Sequence, residues 1–126
     1  MTTYYSGWLI PEHERSKLLA IFNPKYPRVY AHHITLQYDV PPDEPPPTLT
    51  RGKIIGYADD GAIEALVVSI GGTPIRPDGE TYHITWSLIR GLRHPMNSKE
   101  LIRDGGYVKF LHPKMIDIEP AIISNE

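Results

Sequence analysis

The chain has 126 residues, enough for one compact domain and too few for two ordinary ones. Its 13 Lys+Arg against 15 Asp+Glu give a formal net charge of −2, which argues against a histone-like coat for duplex DNA but leaves room for one small anion in a local pocket. Cysteine is absent, so disulfides, thiolate nucleophiles and Cys-based zinc sites fall away together.

Tyr4 to Ile10 is rich in aromatic and aliphatic residues and predicts a strand. Pro11 suits the first turn of a helix, and Glu12 and Glu14 suit its positive end. Leu18, Leu19, Ile21 and Phe22 supply that helix with an apolar face, and Asn23-Pro24 ends it. Ala31 to Val40 alternates as a half-buried strand. The pattern places His32, Ile34, Leu36, Tyr38 and Val40 on the core face, with Ala31, His33, Thr35, Gln37 and Asp39 opposite. Asp39 to Pro47 carries five prolines and reads as a stiff, polyproline-II-like connector. Within one domain it separates a first lobe, about 1–40, from the remainder, 48–126, with residues 41–47 between them.

Gly52 to Ala58 and Ile63 to Ile70 flank Asp59-Asp60-Gly61, a hairpin signal. A Gly/Pro-rich stretch, Gly71 to Gly79, then turns the chain. Thr81 to Ile89 alternates again, with Tyr82, Ile84, Trp86 and Leu88 against Thr81, His83, Thr85 and Ser87. Asn97 with Glu100 three residues on predicts a capping box, opening a helix that stops at Gly105-Gly106. Tyr107 to Leu111 and Met115 to Ile123 predict two last strands. Six or seven strands, two helices and short connections predict an α+β protein with antiparallel pairing.

One element occurs twice, fifty residues apart: His33-Ile34-Thr35 and His83-Ile84-Thr85. Side chains two apart in a strand share a face, so each His stands beside its Thr while the Ile between them enters the core. His32 falls on the apolar face and reads as a structural, hydrogen-bonded histidine, which leaves His33 as the chemical one. If both polar faces line one groove, two imidazoles and two hydroxyls converge there. Imidazole titrates near neutrality, so a pair held in opposite protonation states can act as general base and general acid at phosphorus. Threonine hydroxyls can donate to the phosphate oxygens that gain charge in the transition state. The competing view is two structural histidines in unrelated strands.

With these two motifs the sequence resembles the 2H phosphoesterase superfamily, named for its pair of His-x-Thr/Ser elements. The resemblance spans most of the chain, from the aromatic Tyr4-Tyr5-Ser6-Gly7-Trp8 through the helix, first motif, connector and hairpin to the second motif. Gly91, Pro95 and Asn97-Ser98 after His83-Ile84-Thr85-Trp86 look like the branch holding tRNA-ligase cyclic phosphodiesterase domains and small viral or bacterial relatives. Those relatives include phage enzymes that destroy cyclic oligonucleotide signals. The resemblance implies a bilobal, pseudo-symmetric fold with outer helices and a central cleft. It implies His33 and His83 as catalytic and Thr35 and Thr85 as phosphate-binding, in metal-independent hydrolysis of a cyclic phosphodiester. The motif spacing and total length are short for that superfamily, which implies trimmed lobes and an open cleft.

Tyr5 could lie beneath a base or could be a core tyrosine at the lobe interface. Trp8 and Trp86 read as core, and His13, His94 and His112 as solvated. Arg76, Arg90 and Arg93 flank the second motif and could steer phosphate or be ordinary surface charges. The expected partner is a small nucleotide or an RNA end, with no cofactor, metal, membrane or duplex DNA. No apolar run approaches the ~18–20 residues of a membrane span. Met1 to Ile10 lacks a basic signal-peptide start, so the expectation is a cytoplasmic protein, of a bacterial or phage-infected cell on the branch resemblance. Two other classes compete: a binding module of the same fold without turnover, and a metal-dependent phosphoesterase with histidine ligands.

Overall fold

The structure, a computed structural model, describes residues 2–125. In chain order the elements are β1 (Thr3–Leu9), α1 (Glu12–Ile21), β2 (Arg28–Val29), β3 (His33–Val40), β4 (Arg51–Asp59) and β5 (Ile63–Ser69). They continue with β6 (His83–Leu88), α2 (Asn97–Gly105), β7 (Val108–Asp117) and β8 (Glu119–Asn125). The protein is α+β, with two antiparallel sheets ordered β3-β1-β8 and β2-β6-β5-β4-β7. No helix among the described residues is long and apolar enough to cross a membrane.

Both sheets share one core. Trp8 and Ile34 from the first sheet pack in the same cluster as Ile54, Leu66, Ile84 and Trp86 from the second, with Leu18 of α1 completing it. Each indole N–H donates to a carbonyl 2.7 Å away, Trp8 to Leu49 and Trp86 to Phe22, so neither ring leaves a polar group stranded. Ile63 to Val68 are all buried because the second sheet is covered on both faces. Leu66 and Val68 meet the main core, while Ala65 and Val67 meet Ile102 of α2.

The segment 28–40 ties the sheets together and sets the site. Arg28 and Val29 pair with Leu88 and Ser87. Tyr30 and Ala31 then donate their N–H groups to the Trp86 and Thr85 carbonyls, both at 2.9 Å. At Ala31 the backbone takes φ +49°, an unusual value for a residue with a Cβ, and the chain leaves β6. Two residues later His33 opens β3 opposite Leu9 of β1. The first motif therefore begins where the chain has just left the second. Gly7 makes the β1–β3 approach possible, since a Cβ there would collide with the Ile34 carbonyl oxygen.

Several expectations change in detail. Segments on either side of the proline-rich connector exchange strands, β2 joining the second sheet and β8 returning to the first. The alternation of β3 does not run unbroken: its pairing with β1 slips twice, and Asp39 adopts φ +54°. Each slip moves the following side chains to the other face, so Tyr38 turns away from the core and Val40 turns back into it. His32 precedes the strand and is exposed rather than on the core face. Ile21 of α1 is 55% exposed, and Leu18 is the buried anchor. The capping box at Asn97 does not form: Met96 is the N-cap, and Asn97 Oδ1 instead accepts the His94 N–H at 2.8 Å.

The last strand pair also differs from expectation. Residues 108–117 form one strand that runs through Pro113. It is an edge strand, and its pairing with β4 skips from Lys109 to Lys114, so the missing proline N–H costs no ladder bond.

Candidate active site

A cavity of about 210 Å³ opens between the two sheets, and both His-x-Thr pairs line it. His33 and Thr35 come from β3, and His83 and Thr85 come from β6. Tyr5 of β1 contributes a ring 5.2 Å from the His33 ring, and Tyr38 lies 6.2 Å from Tyr5. Pro95, Met96 and Lys99 bring the first turn of α2 to the rim, with the positive end of its dipole. Among the described residues no carboxylate lines the cavity.

The two imidazoles are held differently. His83 Nδ1 lies 2.8 Å from the Thr81 carbonyl oxygen, which can only accept. The neutral ring therefore carries its proton on Nδ1 and leaves a lone pair on Nε2. His33 Nδ1 is 3.0 Å from His32 Nδ1, so one proton serves that contact. Burial is the main force lowering the His33 pKa to about 4, helped by positive charge on His32 and His83. Burial likewise takes His83 to about 4, opposed by the Thr81 carbonyl and assisted by Arg76. Both rings are thus neutral at pH 7 in the free cleft, not in opposite states. Desolvation explains the difference, because at His83 it outweighs the Thr81 carbonyl and the Glu80 and Asp78 carboxylates, all of which favour the imidazolium.

The hydroxyls also differ. Thr85 Oγ1 lies 2.8 Å from Ser98 Oγ, and Ser98 is fully buried at the start of α2. Thr85 Oγ1 also donates to the Pro95 carbonyl at 3.4 Å, a long contact that a ligand oxygen can replace when Ser98 donates to Thr85. Thr35 is buried beneath the cavity, and its hydroxyl has no protein partner among the described residues. Arg76 is buried rather than a surface charge: it forms paired bonds of 3.1 and 2.9 Å to Asp78 and stacks 5.4 Å from the Tyr38 ring. Lys99 approaches the same ring at 5.9 Å.

The four residues singled out by the repeat meet in one cavity, and Tyr5 joins them there. Trp8 and Trp86 lie in the core as expected. Sequence reasoning missed others, among them Tyr30, His32, Tyr38, His94, Ser98 and Lys99. Of these, His94 was expected to be solvated; it is exposed but lies on the cavity rim. The adjacency of His32 to the motif was a usable signal, whereas Tyr38 and Ser98 reach the site only through tertiary structure. His13, Glu14 and Asp117 form a group of potential metal ligands outside the cavity, with His13 Nε2 3.4 Å from Asp117 Oδ2. No family model, curated protein or solved structure matches the chain.

Proposed function

We propose that the protein is a metal-independent phosphodiesterase of the 2H type that hydrolyses a cyclic phosphodiester of a nucleotide. The observation that carries this is the lining of a single cavity by both His-x-Thr pairs, with no carboxylate among the described residues that line it. On this reading the two sheets correspond to the two lobes of the 2H fold, and the cavity between them is its central cleft.

His83 suits the general base, because the Thr81 carbonyl fixes the proton on Nδ1 and steadies the imidazolium that forms. For a 2′,3′-cyclic phosphate, Nε2 takes a proton from water as the water oxygen bonds to phosphorus. The ribose oxygen leaves and takes its proton from His33, giving a phosphomonoester. For a 3′,5′-linked cyclic oligonucleotide, the base would instead take the proton of the substrate's own 2′-hydroxyl. The incoming phosphate charge raises the pKa of both rings and lets His33 load the proton that the empty cleft denies it. Thr35 and Thr85 donate to the non-bridging oxygens, Ser98 orients Thr85, and the α2 terminus with Lys99 favours the anion. Tyr5 and Tyr38 offer ring faces to a base.

The test is a panel of 2′,3′-cyclic nucleotides and cyclic di- and trinucleotides, incubated with EDTA and resolved by mass spectrometry. A phosphomonoester product formed in EDTA is expected. Tight binding with no product after long incubation would favour the non-catalytic binding module instead, and activity lost to EDTA and restored by Zn²⁺ would favour histidine-bound metal.

A further inference from the structure

The cavity does not end at His94. An open groove continues from it, sharing Tyr30, His94 and Pro95 and running out between β2 and the loop after β6. Arg28, Arg90 and Arg93 line this groove, and among the described residues no Asp or Glu does. In a chain whose net charge is −2, that separation of sign is local and continuous with the proposed reaction centre. Arg93 is committed to Asp60, Nε to Oδ2 at 2.8 Å. Arg28 and Arg90 have no ion-pair partner among the described residues. The Arg28 guanidinium sits 5.7 Å from the centre of the Tyr30 ring, which belongs to both cavity and groove. Leu92 is 60% exposed in the same groove, an apolar surface beside the charges.

A 2′,3′-cyclic mononucleotide has one phosphate, and the histidine cavity accounts for it. A second basic region joined to that cavity has nothing to bind on such a substrate. We infer that Arg28 and Arg90 hold a second phosphate of the substrate, so that the enzyme acts on a nucleotide with at least two phosphates in its backbone. Tyr30 and Leu92 then face the sugar or base between the two phosphates. The inference rests on the phosphodiesterase reading and extends it from reaction to substrate class. A linear dinucleotide ending in a 2′,3′-cyclic phosphate and a cyclic dinucleotide share the required chemistry.

The experiment compares kcat/KM for a 2′,3′-cyclic mononucleotide, a dinucleotide ending in a 2′,3′-cyclic phosphate, and a cyclic dinucleotide. Wild type is set against Arg28→Ala, Arg90→Ala, the double variant and Arg90→Lys, all at exposed positions, with folding checked by thermal melting. The ratio of the preferred two-phosphate substrate to the mononucleotide should fall about tenfold or more in the double variant, each arginine should remove about one unit of the salt slope, and Arg90→Lys should recover part of the ratio. Whichever two-phosphate substrate loses more identifies the source. An unchanged ratio and slope would overturn the inference, as would an equal loss on all three substrates. Binding of fluorescent mononucleotide and dinucleotide 3′-phosphates separates this from failure of the reaction itself. If wild type turns over nothing, the phosphodiesterase reading fails. The groove still stands if dinucleotide binding exceeds mononucleotide binding and that margin disappears in the double variant. It falls if the margin is absent or survives.

Discussion

His83→Gln should flatten the acid side of the stability profile. In the folded protein the His83 pKa is lowered from the ordinary 6.5 to about 4, chiefly by burial. Between those values the unfolded chain binds a proton that the folded chain refuses, so stability is lost as pH falls from 6.5 and the loss is complete below 4. At about 1.4 kcal/mol per pH unit, the full effect is about 3 kcal/mol, of which about 2 kcal/mol falls between pH 7 and 4.5. Glutamine does not titrate in this range, so the variant lacks that contribution whatever it loses at pH 7 through the Thr81 contact. Urea unfolding at pH 7 and at 4.5 gives the two differences. The gap between wild type and variant should shift in the variant's favour by about 2 kcal/mol on acidification. A gap that stays constant within about 0.5 kcal/mol would refute the claim that this ring is held neutral by burial.

Kinetics should carry the same signature. Because kcat/KM reports groups in the free enzyme, its optimum should lie near pH 4 and fall towards neutrality, while kcat, read with phosphate bound, peaks at higher pH. Superimposed profiles in a pH series would contradict the assigned charge states. Ser98→Ala should lower kcat about three- to tenfold with little change in KM, and Thr85→Ala should lower it about a hundredfold, as expected for an orienting group and a direct donor. Equal losses in steady-state assays would contradict that order. Gly7→Ala should destabilise by about 1–3 kcal/mol or more in denaturant unfolding, because the new methyl meets the Ile34 carbonyl on a neighbouring strand. A loss below about 0.5 kcal/mol would mean that β1 and β3 separate easily.

Much of the site was readable from local pattern. Period-two alternation placed Ile84, Trp86 and Leu88 in the core and thereby aimed His83 and Thr85 the other way. The same rule worked for His33 and Thr35 but failed at Tyr38, because pairing slips in β3 change the face and leave no mark in the hydrophobic pattern. Asp39, whose left-handed φ accompanies the second slip, sits directly before a residue that precedes proline, a weak local cue at best. The convergence of the two motifs was not local at all. It depends on residues 28–31 pairing along β6 before Ala31 redirects the chain, and no periodicity records that path. The return of β8 to β1 is equally non-local, and Pro113 concealed the continuity of β7 by resembling a strand break. Ser98 is invisible for the same reason, since only the packing of α2 brings it to Thr85.

The central claim is that His33 and His83 work as one unit on one phosphorus atom. Its most direct measurement is a double-mutant cycle, following phosphomonoester formation from the best substrate by ³¹P NMR for wild type, His33→Ala, His83→Ala and the double variant. Each single variant should lose about a thousandfold or more in rate, and the double variant should lose hardly more than either. Losses below about tenfold, or losses that multiply in the double variant, would mean that the two rings act separately.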